Sequence, residues 1–194
     1  THDSSGIERM RKESLSGYDI FKAKVVNNTL THADNYITLD KGEKDGIRSE
    51  MGVVDGNGVV GIVYMTSDHY SVVIPVLNSK SSISCKIKNS DYFGFLKWDG
   101  GASNYATVKD MPRHSLFSLG DTIVTSGLTP VFPCGLLVGT ITQTNLTDHD
   151  NYHHITLQIA TDYRKINYVQ VIHNRAIHSI DNTENNTLWS GSEK

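Results

Sequence analysis

The chain has 194 residues, of which 38% are hydrophobic, and a formal net charge of −3. This length accommodates one large or two small domains, each able to bury a core. The acidic balance and the lack of a basic cluster argue against a nucleic-acid partner. No run approaches the roughly eighteen consecutive apolar residues of a membrane-spanning helix, so the residues given are expected to be soluble, and any membrane anchor would lie outside them.

The first seventeen residues contain the one helix candidate. Ser5 to Glu8 match a capping box, and Gly17 is a suitable stop. Ile7 and Met10 share one helical face, which makes them candidates for self-association. Residues 1–20 are interpreted as the end of a coiled-coil helix with its linker, of which the opening residues could derive from a vector.

From Phe21 onward, the apolar residues follow a period of two, and β-branched and aromatic residues are enriched. Turns such as Asp55–Gly58 and Asp99–Gly101 separate the apolar runs. Eleven strands are predicted, with a twelfth run that closes the last sheet: Lys22–Val26, Tyr36–Leu39, Gly52–Val54, Val59–Met65, Ser71–Val76, Ser82–Ile87, Phe93–Trp98, Tyr105–Val108, Thr122–Thr125, Leu137–Gln143, His154–Ala160 and Tyr168–Ile172. Short strands at this spacing predict an all-β protein.

Two parts of the chain resemble one another. Residues 119–141 repeat, in looser form, the pattern of residues 50–63: an apolar strand, a glycine-containing turn, and a second apolar strand interrupted by glycine. A strand pair that recurs once indicates two related β-units.

The two cysteines, Cys85 and Cys134, lie far apart in strand-like apolar runs. They are interpreted as small buried hydrophobic residues, and a disulfide in an oxidising compartment is left open. Residues 176–194 are rich in Asn, Thr and Ser and are predicted to form a disordered tail, because they offer little apolar surface to bury.

Catalytic and metal-binding interpretations have little support in the sequence. His149, His153 and His154 lie in one polar segment, but adjacent strand residues point to opposite faces, and a polar hairpin loop is favoured over a zinc site. Ser126 lacks the sequence context of a nucleophilic serine. The candidate base–acid partners, His32 or His69 with Asp34 or Asp68, are interpreted as turn residues. No cofactor motif is found.

A β-rich body without site chemistry is typical of a binding or scaffolding module. Apolar side chains in turn positions are the candidate partner contacts, namely Tyr92, Phe93 and Phe132. Binding through edge strands or through a groove between barrels is the predicted mode.

Several motifs carry a family resemblance. They are Ala23–Val26, Asn35–Gly42, Lys44–Ile47, Met51–Val54, Gly58–Val63, Gly120–Leu128 and Phe132–Ile141. With them, the chain resembles the extracytoplasmic part of the MreC family of bacterial rod-shape-determining proteins, from about Phe21 to about Asn174. The resemblance implies two small antiparallel β-barrels of the trypsin-like type without a catalytic triad.

The resemblance also implies a function. Such a protein would be a non-enzymatic periplasmic scaffold of the elongation machinery, held at the inner membrane by an N-terminal transmembrane helix outside this chain. Its expected partners are the elongation-specific penicillin-binding protein, MreD, RodA and MreB, together with a homodimer or higher self-assembly. A catalytically active two-barrel hydrolase and a generic cell-surface β-domain are the alternatives.

The division into barrels is predicted from the internal repeat. We expect residues 21–54 and 125–175 to form the first barrel and residues 55–124 to form a second, nested barrel. Two sequential barrels that divide near Lys88 are the alternative.

Overall fold

The computed structural model describes residues 12–30, 34–102, 104–146 and 151–176. After a helical turn at residues 12–14, twelve strands follow, with one short 3₁₀ helix at Glu43–Asp45: β1 Tyr18–Asn28, β2 Ile37–Leu39, β3 Gly52–Val54, β4 Val59–Thr66, β5 Ser71–Pro75, β6 Ile83–Ile87, β7 Phe93–Lys97, β8 Tyr105–Pro112, β9 Thr122–Thr125, β10 Leu137–Asn145, β11 Tyr152–Ile159 and β12 Tyr168–Asn174. Each strand predicted from the sequence is confirmed, and so is the all-β fold. In the described part of the chain, no helix has the length and apolar character needed to span a bilayer.

The strands form two closed antiparallel barrels of six strands each. Around the first barrel the order is β1, β12, β3, β4, β5, β2, and around the second it is β10, β11, β8, β7, β6, β9. Alternate side chains of each strand point inwards. Those of the first barrel include Ile37, Val63 and Val171, and those of the second include Leu96 and Leu157, each of them fully buried.

The chain leaves the first barrel after β5, builds the whole second barrel, and returns to the first as β12. The predicted boundaries are therefore wrong: β4 and β5 belong to the first barrel rather than the second, and β10 and β11 belong to the second rather than the first. The reason is local, because short turns keep neighbouring strands paired. Asp55 closes the β3–β4 turn by accepting the Asn57 and Gly58 N–H groups at 2.8 and 2.9 Å.

Two glycines explain the internal repeat. Gly61 in β4 and Gly139 in β10 occupy matching positions, and a Cβ at either one would overlap a carbonyl oxygen of the neighbouring strand, that of Ile74 or of Gln158. Each barrel therefore needs a residue without a side chain where two strands approach closely. The repeated motif reflects this shared packing requirement.

The two barrels meet along a joint built from both. Phe132, in the loop between β9 and β10, is 3% exposed, and a Cβ on Gly52 of β3 would lie 2.6 Å from its ring. In the same loop the Pro130 carbonyl accepts hydrogen bonds of 3.4 Å from the Tyr18 hydroxyl and the Asn174 amide. This loop of the second barrel thus packs against three strands of the first.

The two cysteines are free thiols in different environments. Cys85 lies inside the second barrel, where burial raises the pKa of its thiol to about 12. Cys134 is exposed, so its interpretation as a buried residue is wrong. The glycine-rich turn around it keeps the side chain outside the barrel: Gly127 and Gly135 both adopt positive φ.

We expect the native protein to show one reactive thiol out of two. At pH 8, a chromogenic disulfide reagent should modify Cys134 rapidly and leave Cys85 intact, because only the thiolate attacks and Cys85 stays protonated and enclosed. In denaturant, both thiols should react. A Cys134→Ser variant serves as the control and should show no fast phase; two fast native thiols would contradict the buried position of Cys85.

Candidate interaction surface

The serine nominated as a nucleophile, Ser126, is engaged in structural contacts. The Ser126 hydroxyl lies 2.7 Å from the Ser84 hydroxyl and accepts the Leu128 N–H at 3.2 Å. His69 and Asp68 are exposed in the β4–β5 turn, while His32 lies outside the described residues. Within the described ranges, the hydrogen-bond partners of the Ser126 hydroxyl are Ser84 and Leu128, and neither supplies an imidazole base.

The histidines nominated as metal ligands take separate roles. His153 Nε2 donates to the Arg113 carbonyl at 2.9 Å, and its ring meets Phe117 edge-on at 4.7 Å. His149 lies outside the described residues. Within the described ranges, no group of three or more His, Cys, Asp or Glu side chains is placed to hold a metal ion.

The outer side of β7 carries two exposed aromatic rings. Phe93 is 45% exposed and Phe95 is 37% exposed, while Gly94 and Leu96 between and after them face the barrel interior. Since side chains two apart on a strand share a face, the two rings lie side by side along the outside of the second barrel. Exposed phenylalanines on a regular sheet face mark a candidate docking surface.

Lysines frame these two rings. In the antiparallel register, Lys86 of β6 stands opposite Phe93, and Lys109 of β8 stands opposite Phe95. Directly opposed side chains in such a sheet have Cβ atoms about 5 Å apart. Lys97 continues the outer face of β7 two residues beyond Phe95. We call the set of Phe93, Phe95, Lys86, Lys97 and Lys109 the aromatic–lysine face.

The charges of this face are only partly balanced. Lys109 forms an ion pair with Asp99 at 3.5 Å, in which both side chains are largely exposed. Lys86 and Lys97 form no ion pair with any residue in the described ranges. The aromatic–lysine face is therefore locally positive, although the chain as a whole carries a net charge of −3.

Backbone pairing restricts how a partner can bind here. β7 is hydrogen-bonded to β6 on one side and to β8 on the other, and both barrels are closed. A closed barrel has no strand edge to which a partner strand can add. The edge-strand mode predicted from the sequence is wrong for these barrels, and contact with the aromatic–lysine face must be made by side chains.

The three predicted contact residues lie in different environments. Phe93 lies in the aromatic–lysine face. Tyr92 is half-buried, with its ring 5.1 Å from that of His114 in an edge-on contact. Phe132 is wrong as a partner contact, because it fills the joint between the barrels. Ile7 and Met10 lie outside the described residues.

Phe95 and the lysines are not among the contact residues predicted from the sequence. The signal was present in Phe93-Gly94-Phe95-Leu96-Lys97, where the two aromatic residues alternate with residues that face the interior. The cross-strand lysines were not predictable, because their position beside the rings depends on the register of three strands.

A second exposed apolar site lies in the loop between β8 and β9. Leu116 and Leu119 are 85% and 63% exposed. These leucines lie on a loop outside the regular sheet, and among the residues that the structure describes no strand residue is paired opposite them. They provide a comparison for the aromatic–lysine face, since they belong to the same barrel.

Comparison with known proteins identifies relatives over most of the chain. The family described as rod shape-determining protein MreC, barrel core, matches residues 25–173. The cell shape-determining protein MreC of Listeria monocytogenes is 27% identical over 164 residues, which cover 82% of this chain and 55% of that protein. Its counterpart in Cereibacter sphaeroides is 29% identical over 144 residues, covering 74% and 45%. The chain thus spans about half the length of these relatives.

Solved structures share the fold. The MreC structure from Listeria monocytogenes has a TM-score of 0.74 at 26% identity. The match covers 89% of this chain and 86% of the Listeria chain. MreC from Helicobacter pylori was solved in a complex with a penicillin-binding protein (PBP2). It has a TM-score of 0.63 at 17% identity, and the match covers 81% of this chain and 99% of the Helicobacter chain. With a family match that extends over both barrels, the chain belongs to the MreC family of rod shape-determining proteins.

Proposed function

We propose that this protein is a non-enzymatic scaffold of the cell-elongation machinery and that its aromatic–lysine face docks the elongation-specific penicillin-binding protein. The observation that carries the proposal is the pair of exposed phenylalanines on β7. Aromatic side chains at the centre of a contact surface supply much of the binding energy in protein complexes. In a member of a cell-shape family, such a surface favours recruitment of a wall-synthesis enzyme.

The choice of partner draws support from a relative. The Helicobacter pylori protein was solved in a complex with a penicillin-binding protein, and this chain shares its two-barrel fold at low sequence identity. The docking residues are argued from this chain alone, since a common fold does not carry over side-chain contacts.

A non-enzymatic role draws support from the contacts of the nominated side chains. Ser126 is hydrogen-bonded to Ser84 and Leu128, and Thr125 Oγ1 links the Pro133 carbonyl to the Leu136 N–H at 2.5 and 2.9 Å. Both side chains hold the turn after β9. Polar groups that satisfy a turn in this way stabilise the fold.

The remaining parts of the proposal rest on family membership. We propose that the protein acts at the extracytoplasmic face of the inner membrane, anchored by a helix outside this chain, and that MreD, RodA and MreB are further partners. Self-association as a homodimer or larger assembly through Ile7 and Met10 belongs to the same proposal. Sedimentation of the chain with and without residues 1–16 tests the self-association, and a monomer in both cases would remove residues 1–16 as the contact.

Replacement of both rings, Phe93→Ala with Phe95→Ala, is expected to weaken binding of the purified penicillin-binding protein by roughly 30-fold or more, since two central aromatic residues are lost. The measurement is the Kd from biolayer interferometry with the anchored, full-length protein in detergent. Circular dichroism confirms that the variant is folded.

The matched control removes apolar surface from the same barrel by Leu116→Ala with Leu119→Ala. We expect this variant to bind like the wild type. Loss of binding in the leucine variant together with normal binding in the phenylalanine variant would move the docking site to the β8–β9 loop and overturn the proposal.

A further inference from the structure

We infer that the aromatic–lysine face selects a partner segment in which apolar residues one helical turn apart are flanked by carboxylates. This inference deepens the proposed function and rests on it, because it names the chemistry that the penicillin-binding protein would present to this surface. It follows from the geometry of the rings, the charges around them and the closed backbone.

The spacing of the two rings sets the shape of the segment. Phe93 and Phe95 are two residues apart on β7, which places their Cα atoms about 6.6–6.8 Å apart along the strand. Residues four apart on an α-helix are separated by about 6 Å along its axis. Two apolar side chains one turn apart on a helix therefore match the two rings.

The closed backbone favours a helix over a strand as the ligand. Both sides of β7 are occupied by β6 and β8, so an added strand would find no free N–H and C=O groups. A helix satisfies its own backbone hydrogen bonds and contacts a surface through side chains alone. The partner segment is accordingly an amphipathic helix that lies along β7 on the outside of the second barrel.

The charges specify the flanks of that helix. Lys86 and Lys109 stand beside the two rings, and Lys97 lies at the end of the same strand. Asp99 neutralises only Lys109. Carboxylates beside the apolar anchors would pair with Lys86 and Lys97, whereas lysine or arginine there would be repelled.

A single-stranded nucleic acid is the competing ligand class, because bases stack on exposed aromatic rings next to lysines. The net charge of −3 disfavours it, since nucleic-acid affinity depends on a broad positive field. Of the three lysines in the aromatic–lysine face, Lys109 is paired with Asp99, which leaves Lys86 and Lys97 to meet a phosphate backbone. This small footprint suits a short acidic segment.

The first test uses two synthetic helical peptides that share two leucines one turn apart. One carries glutamates and the other lysines at the flanking positions. NMR spectra of the isotope-labelled chain should show shifts of the β7 amide signals with the acidic peptide and none with the basic one. Equal shifts with both peptides, or no shift with either at about millimolar concentration, would overturn the charge assignment. Stronger shifts with a single-stranded oligonucleotide would assign the surface to nucleic acid instead.

The second test reverses the charges with Lys86→Glu and Lys97→Glu in one variant. Affinity for the acidic peptide should fall by roughly ten-fold or more at low salt, and the difference should shrink as salt is raised. The matched control is Lys22→Glu with Lys24→Glu on β1, which makes the same change in net charge on the first barrel. Equal losses in both variants would show a global charge effect and overturn the inference.

Parallel titrations with the purified penicillin-binding protein separate the two proposals. If that protein fails to bind while the acidic peptide binds at β7, the proposed function fails and the surface preference stands. If the penicillin-binding protein binds, and its affinity falls on replacement of Phe93 and Phe95 but not on reversal of the lysine charges, the proposed function stands and the carboxylate assignment fails.

Discussion

Phe132→Ala is expected to lower the free energy of unfolding by about 3–5 kcal/mol, the range for truncation of a large buried aromatic side chain. The ring lies in the joint between the barrels, against Gly52 of β3, and is 3% exposed. Its removal opens a cavity whose lining comes from both barrels, so neither barrel can close it by a local adjustment. Urea denaturation followed by circular dichroism measures the loss.

Leu128→Ala is the control for this prediction. Leu128 lies in the same loop but is mostly exposed, so its truncation should change the free energy of unfolding by less than about 0.5 kcal/mol. A Phe132→Ala variant as stable as the wild type but unable to bind the penicillin-binding protein would restore Phe132 as a partner contact. It would also contradict the packing of the joint.

The strands were predictable because their signals are local. Alternation of apolar and polar residues, with glycine turns between the runs, is visible in segments such as Val59–Met65 and Leu137–Gln143. β8 runs beyond its predicted end at Val108 to Pro112, where the register with β11 shifts between His153 and Ile155 and Asp110 adopts a positive φ. Such a bulge extends a strand past the point where its alternation breaks, which a period-two pattern does not reveal.

The assignment of strands to barrels was not predictable in the same way. The internal repeat predicts a division between the barrels near the repeated motifs, whereas Gly61 and Gly139 lie within hairpins at close strand contacts. The chain crosses between barrels after β5 and before β12 instead. Closure depends on pairing between strands distant in sequence, such as β1 with β12, and a single sequence does not display such pairs.

The residues of the candidate site were likewise only partly predictable, because their exposure depends on contacts between distant parts of the sequence. Phe93 and Phe132 look alike in sequence, since each is an aromatic residue near a turn. One becomes exposed on a sheet face and the other closes the barrel joint, because burial at Phe132 depends on Gly52, 80 residues earlier in the chain. Contacts over such a separation are set by the tertiary fold.

The linker between β11 and β12 fixes the second barrel to the first. Thr161 Oγ1 donates to the Val59 carbonyl at 2.8 Å. The Tyr163 hydroxyl donates to the Val60 carbonyl at 2.5 Å and accepts the Val76 N–H at 3.2 Å. Tyr163 is fully enclosed, and burial raises the pKa of its phenol well above the usual range. The hydroxyl therefore remains a donor under all ordinary conditions.

Two substitutions separate the ring of Tyr163 from its hydroxyl. Tyr163→Ala should lower the free energy of unfolding by about 3–5 kcal/mol through the cavity it leaves. Tyr163→Phe should cost only about 1 kcal/mol, because the Val76 N–H retains its hydrogen bond to the Val60 carbonyl at 3.0 Å. Tyr152→Ala, an exposed tyrosine on β11, is the control and should be nearly neutral.

The hydroxyl also gives Tyr163 a pH signature. Above about pH 10 an unfolded tyrosine loses its proton while the folded Tyr163 keeps it, so the native protein should lose stability as the pH rises, by up to about 1.4 kcal/mol per pH unit from this group. Tyr163→Phe removes that contribution. The free energy of unfolding of the variant should therefore lie closer to that of the wild type at about pH 11 than at about pH 9, on either side of the pKa of an unfolded tyrosine. Urea titrations at both pH values measure it. A difference in the free energy of unfolding that stays constant or grows with pH would show that the phenol ionises in the native protein. The hydrogen bond from Tyr163 in the linker to the Val60 carbonyl of β4 would then not be maintained.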